Sequence, residues 1–247
     1  KRTRCVNELF YGVDYNSHMG TKRAGIATCN KGIFTRSIHN IENSYFRTKF
    51  EKDLDEFEGN VGIGVISDTD AQPIIVNCHL GKFAIVTVGR INNIVELEKE
   101  LLGKGHHFCE HSYDIINPTE MIAALISEGD DRTLTLAKIY ADELIEEFLS
   151  LSGGHFTTMT SGKINSTELV AALINQKENF VDGIRYAQDK IDGSISILIL
   201  LEDGSIIAAR DKVGRLPILI GKDSDGYCVS FESFAFEKLD YDFVKEL

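Results

Sequence analysis

Asp68 and Asp70 stand two residues apart behind an apolar run, a spacing at which paired carboxylates can divide acid–base work. A polar turn would use the same residues equally well, so both readings stay open. His106-His107-Phe108-Cys109-Glu110-His111 crowds metal-capable side chains into one short stretch. Zinc needs ligands converging tetrahedrally, usually with a second cluster elsewhere, and none is evident. A solvated loop is the plainer reading, and no metal or other cofactor is expected. Gly59-Asn60-Val61-Gly62-Ile63-Gly64 has the glycines of a phosphate loop. A strand follows rather than Lys-Ser/Thr, so close packing explains these glycines better. Asn165-Ser166-Thr167 is formally a glycosylation acceptor but sits where a helix cap is wanted. Cys5, at the start of a helical pattern, reads as a small buried or capping residue rather than a nucleophile.

These residues need elements to place them. Leu9, Phe10 and Val13 mark a helix over the dozen residues after Cys5. Ala24–Cys29 and Ile33–Ile38 are strand-like and joined by Asn30-Lys31-Gly32, a hairpin signal. Phe46, Phe50, Leu54 and Phe57 recur at helical spacing, with Asn43 or Ser44 as cap and Gly59 as stop. Strand-like runs follow at Val61–Ile66, Pro73–Cys78 and Phe83–Val88, and helical patterns fill most of Ile94–Ile191. Strands return at Ile195–Leu201, Ser205–Ala209, Leu216–Ile220 and Tyr227–Phe231, with Asp203-Gly204 as a second turn. Hairpin blocks at both ends, with helices around them, predict an α+β fold of mainly antiparallel sheets. Ile195–Leu201 is apolar at nearly every position, so it should be central and covered on both faces.

One segment recurs. Ile116–Ile126 matches Ile164–Ile174, each copy opening as a capping box, with Asn117 or Asn165 before Glu120 or Glu168. The repeat suggests a local duplication, within or beside a helical insertion over residues 105–160.

Charge and composition narrow the function. The 247 residues suit one large domain or two small ones. Twenty-six Lys and Arg against 38 Asp and Glu give a net charge of −12, which argues against nucleic acid or an anionic membrane as partner. Lys1-Arg2-Thr3-Arg4 has no apolar stretch behind it, unlike a signal peptide. The longest apolar run, Ile195–Leu201, is far too short to span a bilayer. Five Cys without a CxxC pair argue against a disulfide framework. A soluble, folded, cytoplasmic chain is expected, and composition and spacing by themselves assign it no function.

Three stretches, in order, carry a resemblance. His18-Met-Gly20-Thr-Lys-Arg-Ala24-Gly25-Ile26 is similar to H-R-G-Q-D-S-A-G-I; Gly62-Ile63-Gly64 with Ala71-Gln72-Pro73 is similar to G-I-G-H-V-R-Y-S-T and a downstream A-Q-P. Ala209-Arg210-Asp211 through Gly221-Lys222, then Val229-Ser-Phe-Glu232-Ser233, is similar to V-R-D-P-L-G-I-R-P-L-x-x-G-K and A-S-E-S. Together they resemble the N-terminal glutaminase domain of amidophosphoribosyltransferases, the class II, N-terminal-nucleophile amidotransferases of purine nucleotide synthesis. The resemblance implies a four-layer αββα sandwich over residues 1–247. It also implies a phosphoribosyltransferase domain in a longer chain, and a homo-oligomer is a further expectation. No acidic PRPP loop occurs here, and Glu246-Leu247 falls about where the family's first domain ends.

The resemblance fails at the family's chemistry. There an N-terminal Cys attacks the glutamine amide with its own amine as base. The strand that would carry it is absent, and Cys5 lies too close to His18. The Arg that grips the glutamine carboxylate falls on Ser67, and its neighbouring Tyr on Asp68. The oxyanion motif falls on Thr87–Asn93: Gly89 keeps a backbone N–H, but Val88 supplies no side-chain donor. The Asp that meets the substrate ammonium falls on Ser166, or on Pro118 if the first repeat copy is the counterpart. A substitute set exists on paper, Arg90 for the carboxylate and Asp68 for the ammonium, each reaching in from a shifted position. Losing one oxyanion donor costs about 10²–10³ in rate, so the glutaminase reaction is expected to be lost; the alternatives are a binding or regulatory module that retains the fold, or an N-terminal-nucleophile hydrolase of another substrate.

Overall fold

Lys31 and Gly32 both take positive φ, 50° and 81°, giving the two-residue turn whose twist matches paired strands. It joins β1 (Arg23–Asn30) to β2 (Ile33–Asn40). The computed structural model describes residues 4–68, 70–103, 165–210, 213 and 216–247. The metal-like cluster His106–His111, the first repeat copy, Pro118 and all of the expected insertion lie outside them. Contacts along the chain separate Lys1–His106 with Ser166–Leu247 from His107–Asn165, and the strands and helices named here belong to the first unit.

Further strands are β3 (Val61–Ser67), β4 (Ile74–Cys78), β5 (Gly81–Ile91), β6 (Gly193–Leu201) and β7 (Ile206–Arg210). β8 (Leu219–Lys222), β9 (Tyr227–Ser230) and β10 (Asp242–Glu246) complete those described. They pair antiparallel throughout, in the orders β2-β1-β3, β4-β5-β6-β7 and β10-β8-β9. β6 has a neighbour on each side, so the apolar run Ile195–Leu201 is central, as its composition requires. Gly204, with φ 86°, closes the β6–β7 hairpin, and Asp203 Oδ1 accepts the Ser205 N–H at 2.8 Å.

Alternation along each strand builds the layers. Ala27, Cys29, Ile63 and Val65 point from the first sheet onto Ala84, Val86 and Leu200 of the second, forming a buried middle layer. On the first sheet's outer face, Ala24 and Ile26 meet Val6, Phe10 and Val13 of helix α1 (Arg4–Tyr15). Phe46, Phe50, Leu54 and Phe57 seal the same layer. The second sheet's outer face is covered by α4 (Ser166–Ile174), against which α3 (Ile94–Gly103) and α5 (Phe180–Lys190) both pack. α4 lies directly on β5, and the Phe83 and Phe180 rings meet edge-to-face at 5.2 Å. Helices, sheet, sheet, helices: the αββα order holds.

Two local expectations need correction. The Phe46–Phe57 pattern is helical only over α2 (Phe46–Phe50), with Tyr45 rather than Asn43 or Ser44 as cap, and continues as turns to Glu56. All four apolar side chains are nevertheless buried, which is what their spacing demanded. Helix α6 (Phe234–Leu239) and β10 were not expected; Phe236 lies over Gly221 of β8, where a Cβ would come within 3.2 Å of the ring.

Gly62 and Gly64 are packing glycines. A Cβ on Gly62 would sit 2.5 Å from Leu9 Cδ2, and one on Gly64 would sit 2.3 Å from Val13 Cγ2. They let α1 lie flat on β3 and cradle no phosphate.

Candidate functional site

β4 begins at Ile74, opposite Ile85, and the side chain of Gln72 extends its pairing one step further. Gln72 Nε2 donates to Thr87 O at 3.0 Å, and Thr87 N donates to Gln72 Oε1 at 2.8 Å. Backbone groups alternate sides along a strand, so the N–H of Gly89, two residues on, points past the end of β4. Thr87 Oγ1 and Thr167 Oγ1, both buried, lie 2.6 Å apart and tie β5 to the start of α4.

Beyond this point the inner faces of β5 and β6 open into a pocket of about 860 Å³. Val88, Gly89, Arg90 and Asn92 line it from β5 and the turn after it; Gly193, Ser194 and Ser196 line it from β6 and Asp192 from just before it, with Val213 and Leu216 completing the wall. The strand register places Arg90 opposite Ser194 and Val88 opposite Ser196. Asn92 N donates to Asp192 O at 2.7 Å, and Asp192 N donates to Asn93 Oδ1 at 2.9 Å, so the backbone at this end is pinned. The Arg90 guanidinium and the Asp192 carboxylate, both on exposed residues, have no hydrogen-bond or ion-pair partner among the described residues. The pocket thus carries one charge of each sign without a partner among the described residues, on β5 and just before β6.

The other sequence-derived positions gather elsewhere. Ser67 is buried at 8% exposure, and its hydroxyl accepts the Asp70 N–H at 3.1 Å. Asp70 Oδ2 accepts both the backbone N–H of Ser166, at 3.2 Å, and the Ser166 hydroxyl. A carboxylate at a helix N-terminus is favoured by the unpaired N–H groups there. Asp68 bonds instead to Thr21, accepting its N–H at 2.6 Å and its hydroxyl at 3.2 Å. Asp68 and Asp70 are therefore not a shared-proton pair, because each serves a different neighbour. Ser67, Asp70 and Ser166 come together, Gly89 and Arg90 come together, and Asp68 joins neither group. Asp192, which sequence reasoning missed, is the acid that shares a pocket with Arg90. Its signal was only its place before a strand whose partner was not readable.

Two other polar groups resemble chemistry without supporting it. Ser37, His39 and Asp53 have the composition of a nucleophilic triad. Ser37 Oγ at 3.1 Å and Asp53 Oδ2 at 2.5 Å, however, both meet the same ring nitrogen, His39 Nε2. A triad needs the carboxylate on one nitrogen and the hydroxyl on the other. The Asp53–Ser37 bond closes a clamp between β2 and the turns after α2. His18 bridges Tyr15 O and the Glu232 carboxylate, at 3.1 and 3.2 Å, in an exposed setting. Cys5 is no better a nucleophile than its position suggested: burial pushes its thiol up to about 11, and Glu8 adds to the shift. Among the described residues, no group of three or more His, Cys, Asp or Glu could hold a metal, and no helix is long and apolar enough to cross a membrane.

Comparison with known proteins places this geometry. No family model matches the chain. It is 29% identical to an amidophosphoribosyltransferase of Methanocaldococcus jannaschii, across 100% of this chain and 43% of that protein. It is 25% identical to the amidophosphoribosyltransferase of Methanothermobacter thermautotrophicus, over the same shares. Among solved structures it superimposes on the glutamine PRPP amidotransferase of B. subtilis with a TM-score of 0.68 at 20% identity, covering 98% of this chain and 42% of that one. The resemblance read from three short motifs thus extends along the whole chain, and the fold is that of a PRPP amidotransferase's corresponding region. The chain spans less than half the length of the proteins it matches.

Proposed function

We propose that this chain is the glutamine amidotransferase-type domain of an amidophosphoribosyltransferase-like protein, and that its usual glutaminase pocket is no longer competent. Similarity along the full chain to proteins of that name supports the first half. The second half rests on one observation: Ser67, where the resemblance puts the substrate-gripping Arg, and Ser166, where it puts the Asp unless Pro118 is the counterpart, are bonded to Asp70. A serine cannot form the bidentate, charge-assisted pair that Arg makes with a carboxylate. Val88 adds no donor where the oxyanion would form.

By the same reading the complete protein is cytoplasmic, belongs to purine nucleotide synthesis and carries a phosphoribosyltransferase domain that uses ammonia. The greater length of the relatives supports the further domain. A second reading, a binding or regulatory module that keeps the fold without the reaction, is favoured by the two free charges in the pocket beside Gly89. The full-length protein should release no glutamate from glutamine and resist covalent labelling by a glutamine-mimicking diazo ketone, while transfer with ammonia persists. Glutamine turnover of about 1 s⁻¹ or more, within the ordinary enzyme range, would overturn the loss of the glutaminase.

A further inference from the structure

His18 and Glu232 lie 214 residues apart in sequence and meet at the surface. The imidazole stands between two acceptors. Nδ1 is 3.1 Å from Tyr15 O, and Nε2 is 3.3 and 3.2 Å from the two Glu232 carboxylate oxygens. A carbonyl and a carboxylate only accept, and a neutral imidazole carries one N–H, so neither tautomer satisfies both contacts. The imidazolium satisfies both. Its charge also suits the place, because Tyr15 closes α1 and the last carbonyls of a helix favour a cation. Neither the ring nor the Glu232 carboxylate has another hydrogen-bond or ion-pair partner among the described residues. Charged groups on the elements around them are engaged elsewhere. On α1, Glu8 accepts the Tyr241 hydroxyl, Asp14 holds Arg47, the Tyr11 and Tyr15 rings stack, and Arg4 and Cys5 lie at the far end. β3 carries no charge, and Asp68 behind it accepts from Thr21. On α6, Lys238 lies 5.3 Å over the Phe234 ring, and Glu237 makes no bond to His18.

We propose that His18 is a proton-operated latch between the end of α1 and the segment leading from β9 into α6. Protonated, it joins Tyr15 O to Glu232; neutral, it must release one of them. Imidazole changes charge between about pH 5 and 8, so the latch works across the physiological range. The segment behind Glu232 has two further ties to α1. Tyr15 meets Phe234 edge-to-face at 5.6 Å, and the Tyr241 hydroxyl donates to Glu8 at 2.8 Å. Burial and Glu8 push the Tyr241 phenol up, so that tie keeps its proton throughout the same range. Loss of the His18 proton therefore loosens one end of α6 while the residue after its other end stays anchored. With side chains 59% and 40% exposed, His18 and Glu232 are worth little as a static ion pair, which suits a contact that opens and closes. The latch needs no reaction in the β5–β6 pocket and does not depend on the proposed function.

The test is amide hydrogen exchange of the full chain at a pH of about 5.5 and of about 8, each corrected for the chemical exchange rate at that pH. Residues 16–20 and 232–239 are read against Ile197 and Ile199 of β6, both fully buried. Protection of the two segments should fall about two- to fivefold from the lower pH to the higher, the size expected of an exposed charge contact at a helix end. His18→Gln should remove that pH dependence, and Glu232→Gln should remove most of it. His18→Arg keeps a permanent charge with donors for both acceptors, so protection should persist at the higher pH. Salt at about 0.5 M should shrink the difference in the parent protein. His39 and His79 bond elsewhere, to Asp53 and to Lys177 O, so their titration does not read out at these segments. Thermal melting at the higher pH, where the latch is already open, should place His18→Gln and Glu232→Gln with the parent. Equal protection of the parent at both pH values would overturn the proposal. So would a His18→Gln variant that keeps the parent's pH dependence, or a His18→Arg variant that loses protection at the higher pH as the parent does.

Discussion

The side-chain amide of Gln72 occupies the place of a strand residue opposite Thr87, bonding both backbone groups at 3.0 and 2.8 Å. Gln72 is 4% exposed and Thr87 5%, so water cannot replace either bond. Gln72→Ala should therefore destabilise the fold by about 2–4 kcal/mol, the cost of two buried backbone groups left unpaired. Gln72→Glu should be comparably harmful at neutral pH, because a carboxylate faces the Thr87 carbonyl. It should recover part of the loss on acidification, when a protonated carboxyl can donate to that carbonyl. Urea unfolding of both variants at two pH values checks each claim.

Gly64 is tested by its contact with Val13. Gly64→Ala puts a Cβ 2.3 Å from Val13 Cγ2, and overpacking of this kind costs about 1–3 kcal/mol. Adding Val13→Ala should return part of that loss in a double-mutant cycle, because the methyl removed is the one struck. A phosphate-binding glycine would instead show a nucleotide-dependent melting shift that Gly64→Ala abolishes.

What the sequence made legible were the features decided locally. Lys31-Gly32 and Asp203-Gly204 turn the chain where their residue types require, and Phe46, Phe50, Leu54 and Phe57 are buried as their spacing demands. The path of that segment was not legible, because turns can present one apolar face as well as a helix can. Nor was it legible that Asp192 and Arg90 line one pocket. Asp192 directly precedes β6 and Arg90 lies on β5, about a hundred residues earlier, and periodicity does not say which strands become neighbours. Asp70 was visible as a carboxylate but not as the cap of α4, because the chain between them lies outside any local pattern.

The clamp at Ser37, His39 and Asp53 gives the fold a pH dependence of known sign. Burial pushes the Asp53 carboxyl up, but the hydrogen bonds from Ser37 and His39 and the charge of the His39 ring outweigh it, so its pKa lies below the ordinary value. A carboxyl lowered in the folded state contributes stability above its unfolded pKa, about 3.9, and loses it as pH falls through the folded value. Asp53→Asn should be less stable than the parent at pH 6. The two unfolding free energies should converge as pH drops from about 5 to below 3, where the parent carboxyl is also neutral. A gap that stays constant over that range would mean the clamp acts through shape and not charge.

The half-buried cluster around Glu8 predicts how the thiols behave. Burial raises Cys5 to about 11 and Cys228 to about 12, and Glu8 adds to both. The same carboxylate accepts the Tyr241 hydroxyl at 2.8 Å and, with burial, raises that phenol as well. At pH 7 a thiol with a pKa near 11 is thiolate in about one molecule in 10⁴, against a few per cent for an unperturbed cysteine. Alkylation of Cys5 and Cys228 by iodoacetamide at pH 7 should therefore run at least about tenfold slower than that of free cysteine, even though neither residue is fully buried. Glu8→Gln removes the negative charge while leaving a group that can still accept from Tyr241. It should speed both thiols, with burial holding them below the free rate. Mass-spectrometric rates at each cysteine separate these effects: if Glu8→Gln left both unchanged, burial alone would account for their inertness. Labelling of Cys5 as fast as free cysteine would contradict its buried setting and reopen it as a nucleophile.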